Sequence, residues 1–480
     1  MPTVDITSWE RHNVVIDNQG RLMTRRGFTD IFAPAGGSVI VAGFSLLVPS
    51  SSEVEHIVFM QVTSTGQVTM TTYDEEFNVG IVLALGKMAS APVITMALVN
   101  NQVMINSPSF SSPLYGLPGG GYMPALKVAS INPDTTALDI PTGHICSFGD
   151  RMPIAQGSVV YFNDPGIDPR TYVAQNTLGL PGEVYDIFQG PDGGLWMFTA
   201  AGLFVMSADA LGQGQSVVGF VQLVPSLVTS NPHNAVTTPF GVVALTRTGI
   251  SVLSSSGASR DIDFPTYQGR RQLSRPVEIE DVRQFGRVYV SGNGVVVGFG
   301  ADRDYFVIVD LAHGGAVTFV SASDRPVRLV GMLHSRDDDD IFLTSAAALV
   351  MHTDGVNEFA STTLTGTTCG KMQEGPADDP LIRRISVSVG NGGGTVATGC
   401  NGRTDTGKTT SVNGDVVADL SVWGTARYAG LTTRSVRTTL NVRATEPNVE
   451  VRVEGGGRRI APALEVQAGG VWRTRKETQQ

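Results

Sequence analysis

Short runs of apolar residues, separated by polar turns that contain glycine, make up most of this chain. Such runs are typical of β-strands, and no segment shows the long 3.6-residue periodicity of an amphipathic helix. The longest apolar stretch, residues 79–99, contains Lys87 and Pro92, so it predicts two strands rather than a membrane span. The pattern therefore predicts an all-β protein with no membrane span.

One polar turn recurs between the apolar strands. Its first residue is Thr, Ser, Asn or Asp, whose side chain can bond the backbone further along. Its fourth residue is Gly, which adopts positive φ without strain. Copies begin at Asp17, Thr63, Asn163, Thr199, Thr246 and Ser291, and a decayed copy begins at Thr344.

The spacing of these turns predicts the architecture. From Thr199 onward the copies are 47, 45 and 53 residues apart, which is the length of one four-stranded propeller blade. The span from Asp17 to Thr344 would hold six or seven such blades. An open array of β-sandwiches is the alternative, and the regular spacing favours the closed ring, which leaves no open sheet edges.

The composition changes near residue 355. Residues 356–420 are rich in Gly, Thr, Ser and Asn, which indicates a boundary. We therefore predict a β-propeller over residues 1–355 and an appended C-terminal β-sandwich-like platform domain over residues 356–480. Within the platform, apolar and charged residues alternate on both sides of residues 445–448, which predicts a hairpin with Arg443 opposite Glu450.

Candidate chemistry is sparse in this sequence. The three cysteines and seven histidines have no metal-ligand or nucleophile spacing. Residues 402–409 match the GxxxxGK[ST] phosphate-loop pattern, but the β-prone residues after Lys408 favour a chance match. Asp337–Asp340 could bind a divalent cation, although a solvated turn is the simpler interpretation. We expect a protein that is not an enzyme and has no catalytic, cofactor-binding or metal-binding residues and no cofactor.

One blade-like motif occurs as a single copy. Asp192-Gly-Gly-Leu-Trp196-Met-Phe-Thr199 resembles the repeated motif of sensor propellers, but a sensor array or a sialidase would repeat it. The simplest interpretation is a turn followed by a strand whose Trp196 packs between blades.

Several segments together resemble the tail nozzle, or tail-hub, proteins of short-tailed bacteriophages. They occur in the order expected for that family and cover most of the chain. The segments are Asn13–Asp17 with Gly20–Leu22 and Arg26–Phe28, Phe148–Arg151 with Val159–Asp164 and Asp168–Arg170, Asp192–Met206, Tyr305–Asp310, and Ala426–Gly430 with Arg434–Ala444. The usual Pro before Gly27 is absent.

The resemblance implies a structural virion protein. Such a protein would form a homo-oligomeric ring, typically a hexamer, below the portal and the tail adaptor or head-to-tail connector proteins. The ring would bear tail fibres or spikes and enclose the DNA exit channel, with viral DNA passing through without sequence-specific binding. Its location would be the phage virion, after assembly in the host bacterial cytoplasm.

The net charge of −10 agrees with a conduit that does not grip DNA, because phosphate contacts need many cations. A virion-associated glycan-binding or depolymerase propeller is the alternative, and it would need paired carboxylates or an aromatic platform. A bacterial sensor or adhesion propeller is a weaker alternative, since no signal peptide is readable.

The charge is distributed unevenly along the chain. Residues 421–480 contain ten basic and five acidic residues, whereas the first 420 contain 24 basic and 39 acidic residues. Arginine forms bidentate bonds to carboxylates at protein interfaces. The candidate assembly-interface residues are therefore Arg427, Arg434, Arg437 and Arg443.

Overall fold

The structure is a computed structural model, and it describes most of the chain between residues 10 and 467. The described ranges are 10–17, 20–88, 92–129, 136–164, 168–207, 221–224, 233–246, 249–254, 259–262, 282, 284–292, 294–322, 325–337, 339–351, 357–359, 362–371, 381–390, 394–400, 409–412, 433–443, 447–455 and 459–467.

Seven four-stranded antiparallel sheets form the blades of a β-propeller, so the all-β prediction is confirmed and the blade number is seven. Blade 1 is β5–β8 (Ser38–Leu47, Val54–Val62, Gln67–Tyr73, Val79–Lys87), and blade 2 is β9–β12 (Thr95–Val99, Gln102–Asn106, Leu114–Gly116, Tyr122–Pro124). Blade 3 is β13–β16 (His144–Ile145, Ile154–Gln156, Val159–Asn163, Tyr172–Gly179), and blade 4 is β17–β20 (Val184–Gln189, Leu195–Thr199, Gly202–Met206, Val221–Val224).

Blades 5 and 6, like blades 1–4, are each built from four consecutive strands of the chain. Blade 5 is β21–β24 (Ala235–Thr238, Gly241–Thr246, Gly249–Leu253, Ser259–Asp261). Blade 6 is β25–β28 (Arg287–Ser291, Gly294–Gly298, Phe306–Asp310, Ala316–Val320), with a short 3-10 helix at Gly300–Asp302. In each of these six blades the strands pair in chain order, and we call the first strand the inner strand and the fourth the outer strand.

Blade 7 is built from both ends of the propeller sequence. Its three inner strands are β29–β31 (Leu329–His334, Asp340–Thr344, Ala348–Met351), and its outer strand is β4 (Phe28–Phe32). The register pairs Met351 with Phe28. This shared blade closes the ring, so the alternative of an open sandwich array is wrong.

A buried apolar cluster fills each of the seven contacts between neighbouring blades in the described residues. Phe59 of blade 1 packs with Ile105 of blade 2, for example. The ring-closing contact is equally apolar, because Val58 of blade 1 packs with Leu333 and Leu343 of blade 7. Burial of these side chains is the main driving force that holds the blades together.

The structure has turns at the recurrent positions, but the turns do not all join the same two strands of a blade. Thr199, Thr246 and Thr344 each end the second strand of a blade and donate their hydroxyl to the carbonyl three residues on, at 3.0, 3.2 and 2.9 Å. Ser291, by contrast, joins the first and second strands of blade 6. The copy at Asn163 is wrong as a tight hairpin, since the next strand begins only at Tyr172.

Twelve further strands in the described residues lie outside the propeller. They are β1–β3 (Glu10–His12, Val14–Ile16, Leu22–Thr24) and β32–β40 (Asn357–Glu358, Thr362–Thr363, Thr365–Lys371, Leu381–Gly390, Gly394–Cys400, Thr409–Val412, Thr433–Arg443, Pro447–Glu454, Arg459–Gln467). One sheet continues from the outer strand of blade 6 in the order β28-β1-β34-β39-β36-β37, and the other has the order β2-β3-β40-β35-β38. The N-terminal strands therefore pair with C-terminal ones, and the boundary at residue 355 stays a prediction.

The predicted C-terminal hairpin is wrong. Strand β38 pairs with β35, so Arg443 lies opposite Leu381. Strand β39 pairs with β34 and β36, so Glu450 lies opposite Cys369 and Ala397. Period-2 alternation fixes which residues share a face of a strand, but it does not specify which strand lies alongside.

Candidate functional site

The N-terminal segment forms a buried polar joint between blade 6 and the C-terminal strands. We call residues 10–17 and 20–28, together with residues 317–321 and strand β34, the joint. Asn13 lies at its centre in the left-handed conformation, with φ of 54°. Its Oδ1 accepts hydrogen bonds from Arg25 Nε at 2.8 Å and from the Ser321 amide at 3.1 Å, and its Nδ2 donates to the Thr365 carbonyl at 3.3 Å. One side chain thus links three separate segments of the chain.

Two arginines are fully buried in the joint. Arg11 is 0% exposed, and its Nε and Nη2 donate to the carbonyl of Val317 at 3.2 and 3.0 Å. Arg25 is 1% exposed, donates to the Ser321 carbonyl at 2.9 Å, and lies 4.3 Å from the centre of the Phe28 ring. A buried guanidinium is costly unless its donors are satisfied, so these bonds require a well-defined geometry at the joint.

His12 completes this buried polar group. Its Nε2 lies 2.6 Å from the Ser321 hydroxyl. Burial, and secondarily the charge of Arg25, lowers the pKa of His12 to about 4. The ring is therefore neutral near pH 7, which leaves the guanidinium of Arg25 as the cation of this pair.

The first segment that resembles the tail-hub family coincides with the joint. Asp17 accepts hydrogen bonds from the backbone and side chain of Arg21 at 2.9 and 2.8 Å, and Gly20 has φ of +72° in the turn between β2 and β3. Leu22 is buried, and Phe28 is packed in the cluster between blades 6 and 7. Each residue type in this segment therefore has a physical role where the N-terminus meets the propeller.

The second family-like segment holds the loops of blade 3. Arg151 is buried and donates to the Asn163 carbonyl at 3.2 Å, while Asn163 Oδ1 accepts the Met152 amide at 2.6 Å. Asp168 and Arg170 form an ion pair at 2.7 Å. These residues stabilise connections between strands and are not gathered into a pocket with the joint.

A cavity of about 250 Å³ lies on the propeller axis. His233, which precedes blade 5, has φ of +51° and donates from Nε2 to the carbonyl of Ile94 in blade 2 at 3.0 Å. Burial, followed by the charges of Arg287 and His144, lowers the pKa of His233 to about 3. A neutral imidazole thus links the segment before blade 5 to the segment before blade 2 at the cavity.

Three other titratable groups lie near the axis. Asp186 accepts the amides of Ile187 and Asn234, both at 3.0 Å, and burial raises its pKa to about 7. Burial lowers the pKa of His144 to about 4 and raises that of the Cys146 thiol. A nucleophilic thiol needs a lowered pKa, whereas burial raises the pKa of Cys146, so His144 and Cys146 do not have the properties of a catalytic pair.

The remaining sequence motifs have structural roles. Asp192 Oδ1 accepts the Gly194 amide at 3.1 Å and the Trp196 indole at 3.0 Å, and Trp196 is buried between blades 4 and 5, which confirms the predicted packing. Asp337 and Asp339 belong to a turn in which both of their amides donate to the Ser335 hydroxyl.

The phosphate-loop match is not followed by a helix. Lys408 lies outside the described residues, but Thr409–Val412 is strand β37, paired with β36. A phosphate loop requires a helix N-terminus at that point. The chance-match interpretation is therefore favoured.

The four predicted interface arginines fall on a part of the chain of which little is described. Arg427 lies outside the described residues. The other three are on β38, an edge strand of its sheet, where Arg434 lies opposite Val389 and Arg437 opposite Ser386. Their role at an interface stays a prediction. Sequence reasoning missed Arg11, Arg25 and Arg287, although Arg11 and Arg25 closely flank the apolar residues of β2 and β3.

Within the described ranges, no helix is both long and apolar enough to span a membrane. No group of three or more His, Cys, Asp or Glu side chains in those ranges is placed to hold a metal ion.

Comparisons with known proteins show only a distant likeness in structure. No protein-family model and no curated protein sequence matches this chain. A streptogramin B lyase structure aligns over 67% of this chain and 96% of its own, with 10% identity and a TM-score of 0.42. A structure of the mitotic checkpoint complex aligns over 70% of this chain and 93% of the matched chain, with 13% identity and a TM-score of 0.41.

Proposed function

We propose that this chain is a structural protein of a short-tailed phage tail, which assembles into a ring below the portal and adaptor. The observation that supports this most directly is the joint. The N-terminal segment that resembles the tail-hub family supplies Asn13, Arg25 and Phe28, which bind the propeller to the C-terminal strands. In this proposal, those strands form the β-sandwich-like platform.

The continuous sheet gives the joint a mechanical role. The sheet continues from blade 6 through β28, β1 and β34 to β39, with β1 joined to β28 at the pair His12–Phe319. A sheet shared by two units resists bending between them, because rotation would break a row of backbone bonds whose loss is costly when buried. A ring that transmits DNA under pressure needs such a fixed angle in each subunit.

In this proposal DNA passes through the lumen of the ring and not through the propeller. At the axial cavity the side chain of His233 bonds to the Ile94 carbonyl, which supports a path outside the propeller. The net charge of −10 keeps phosphate contacts few, which favours passage over binding.

The outer edge of blade 1 is the best described surface for self-assembly. Strand β8 is a sheet edge, Val79 and Val82 are 63% and 60% exposed, and Lys87 is its only charged residue. Long, apolar, uncharged edges pair readily with other chains unless they are protected. We propose that β8 contacts a neighbouring subunit in the ring.

Electron microscopy of the purified full chain tests the proposal. We expect closed rings from the wild type and mostly single subunits from Val82→Lys, which places a charge on the apolar edge. Gln175→Lys adds the same charge to an exposed position on the outer strand of blade 3 and should form rings normally. A monomeric wild type that depolymerises polysaccharides would refute the structural role and support the enzymatic alternative.

A further inference from the structure

The axial cavity contains a cation without a carboxylate partner. Arg287 begins strand β25, the inner strand of blade 6, and its half-buried side chain lines the cavity. The charge of Arg287 acts on the neighbouring phenol of Tyr289, which donates to the Val330 carbonyl at 2.9 Å. No described acidic residue forms an ion pair with Arg287, and most of the donors of the guanidinium remain available.

The other polar groups around the cavity do not compensate this charge. No Asp or Glu is among the described residues that line it. His233 is neutral near pH 7, and its Nε2 proton is already donated to Ile94. His334 lies at the rim, 3.2 Å from a carboxylate oxygen of Asp340, so that carboxylate faces the imidazole. One positive charge is therefore left uncompensated in a partly desolvated space.

The size of the space limits what could bind there. A volume of about 250 Å³ is below the 300–1,000 Å³ typical of sites for drug-sized ligands. Gly43 and Gly331, on the inner strands of blades 1 and 7, also line the cavity. A planar guanidinium binds a carboxylate or phosphate group through two parallel hydrogen bonds.

We propose that the axial cavity binds a small oxyanion, a carboxylate or phosphate group, on the guanidinium of Arg287. The apolar residues around the cavity, such as Val41, Ile94 and Met332, limit the competition from water. This proposal does not depend on the assembly of a ring.

Titration calorimetry on the full chain tests it, with sodium acetate and sodium phosphate as separate probes against a chloride background of equal ionic strength. We expect at least one of the two anions to bind with a dissociation constant of about 1 mM or tighter. Binding by acetate alone identifies a carboxylate site, and binding by phosphate alone identifies a phosphate site.

Arg287→Gln should weaken that binding about tenfold or more, since a charged hydrogen bond contributes this much. Arg336→Gln removes the same charge from an exposed position and should bind as the wild type does. Arg287→Lys keeps the charge without the fork and should give intermediate affinity, which separates a lost ligand contact from a lost fold. Equal affinity in Arg287→Gln and the wild type, or no binding of either anion, would overturn the proposal.

Discussion

Four buried histidines make this propeller sensitive to mild acid. Burial lowers the pKa of His12, His56 and His144 from 6.5 to about 4, and that of His233 to about 3. Below pH 6.5 the unfolded chain therefore binds protons that the folded chain does not. By linkage, the free energy of unfolding falls as the pH falls from 6.5 towards 4.

The size of the effect follows from these pKa values. Between pH 7 and pH 5 each histidine removes about 2 kcal/mol of stability. Asp186 acts in the opposite direction, because its pKa is raised to about 7 and the folded chain takes up a proton that the unfolded chain does not. It restores about 2 kcal/mol over the same interval. The net loss of about 6 kcal/mol is as large as the whole stability of many domains.

Urea unfolding at pH 7, 6 and 5 measures this directly, with the fluorescence of the fully buried Trp196 as the probe. We expect the midpoint to fall steeply with pH. His12→Gln keeps a donor for the Ser321 hydroxyl but cannot titrate, so its loss between pH 7 and pH 5 should be about 2 kcal/mol smaller. A midpoint that is constant over this range, or an unchanged slope in His12→Gln, would refute the reasoning.

Three further predictions concern packing and motifs. Asn13→Ala removes three side-chain hydrogen bonds and places alanine at φ of 54°, so it should cost about 3–4 kcal/mol in denaturant unfolding, whereas an unchanged midpoint would show that the joint is not cooperative. Gly190→Ala should lower the free energy of unfolding by about 1–3 kcal/mol, and the melting temperature with it, because the added Cβ would lie 2.1 Å from Trp196 Nε1. A melting temperature equal to that of the wild type would contradict this contact. Lys408→Ala should change neither fold nor assembly, and specific ATP binding that the substitution abolishes would restore the phosphate-loop interpretation.

The sequence predicts the propeller well because its signals are local. Thr199 and Thr246 mark the same turn in successive blades, and their hydroxyl bonds need only three intervening peptide units. Ser291 has the same residue pattern but lies at the turn between the first and second strands of its blade. The spacing therefore predicts the right blade length although not all copies mark the same turn.

Features that depend on distant segments could not be predicted in this way. Nothing near Thr433–Arg443 indicates that β35 rather than β39 is its neighbour, since alternation carries no information on partners. Arg11 and Arg25 are of a residue type that is usually exposed, and their burial depends on carbonyls some three hundred residues away. The axial position of Arg287 likewise follows from the closure of the ring and from no local pattern.

The shared construction of blade 7 has a consequence for how the chain is made. Strand β4 is synthesised more than 300 residues before β31, the strand with which it pairs. Contacts this distant in sequence form late in folding, because a long loop must close first. Until residue 351 has left the ribosome, blades 1–6 can form, but Phe28 and its strand β4 have no partner strand. Closure of the propeller is thus delayed until blade 7 has been translated, and pairing of β1 and β3 with β34 and β40 comes later still.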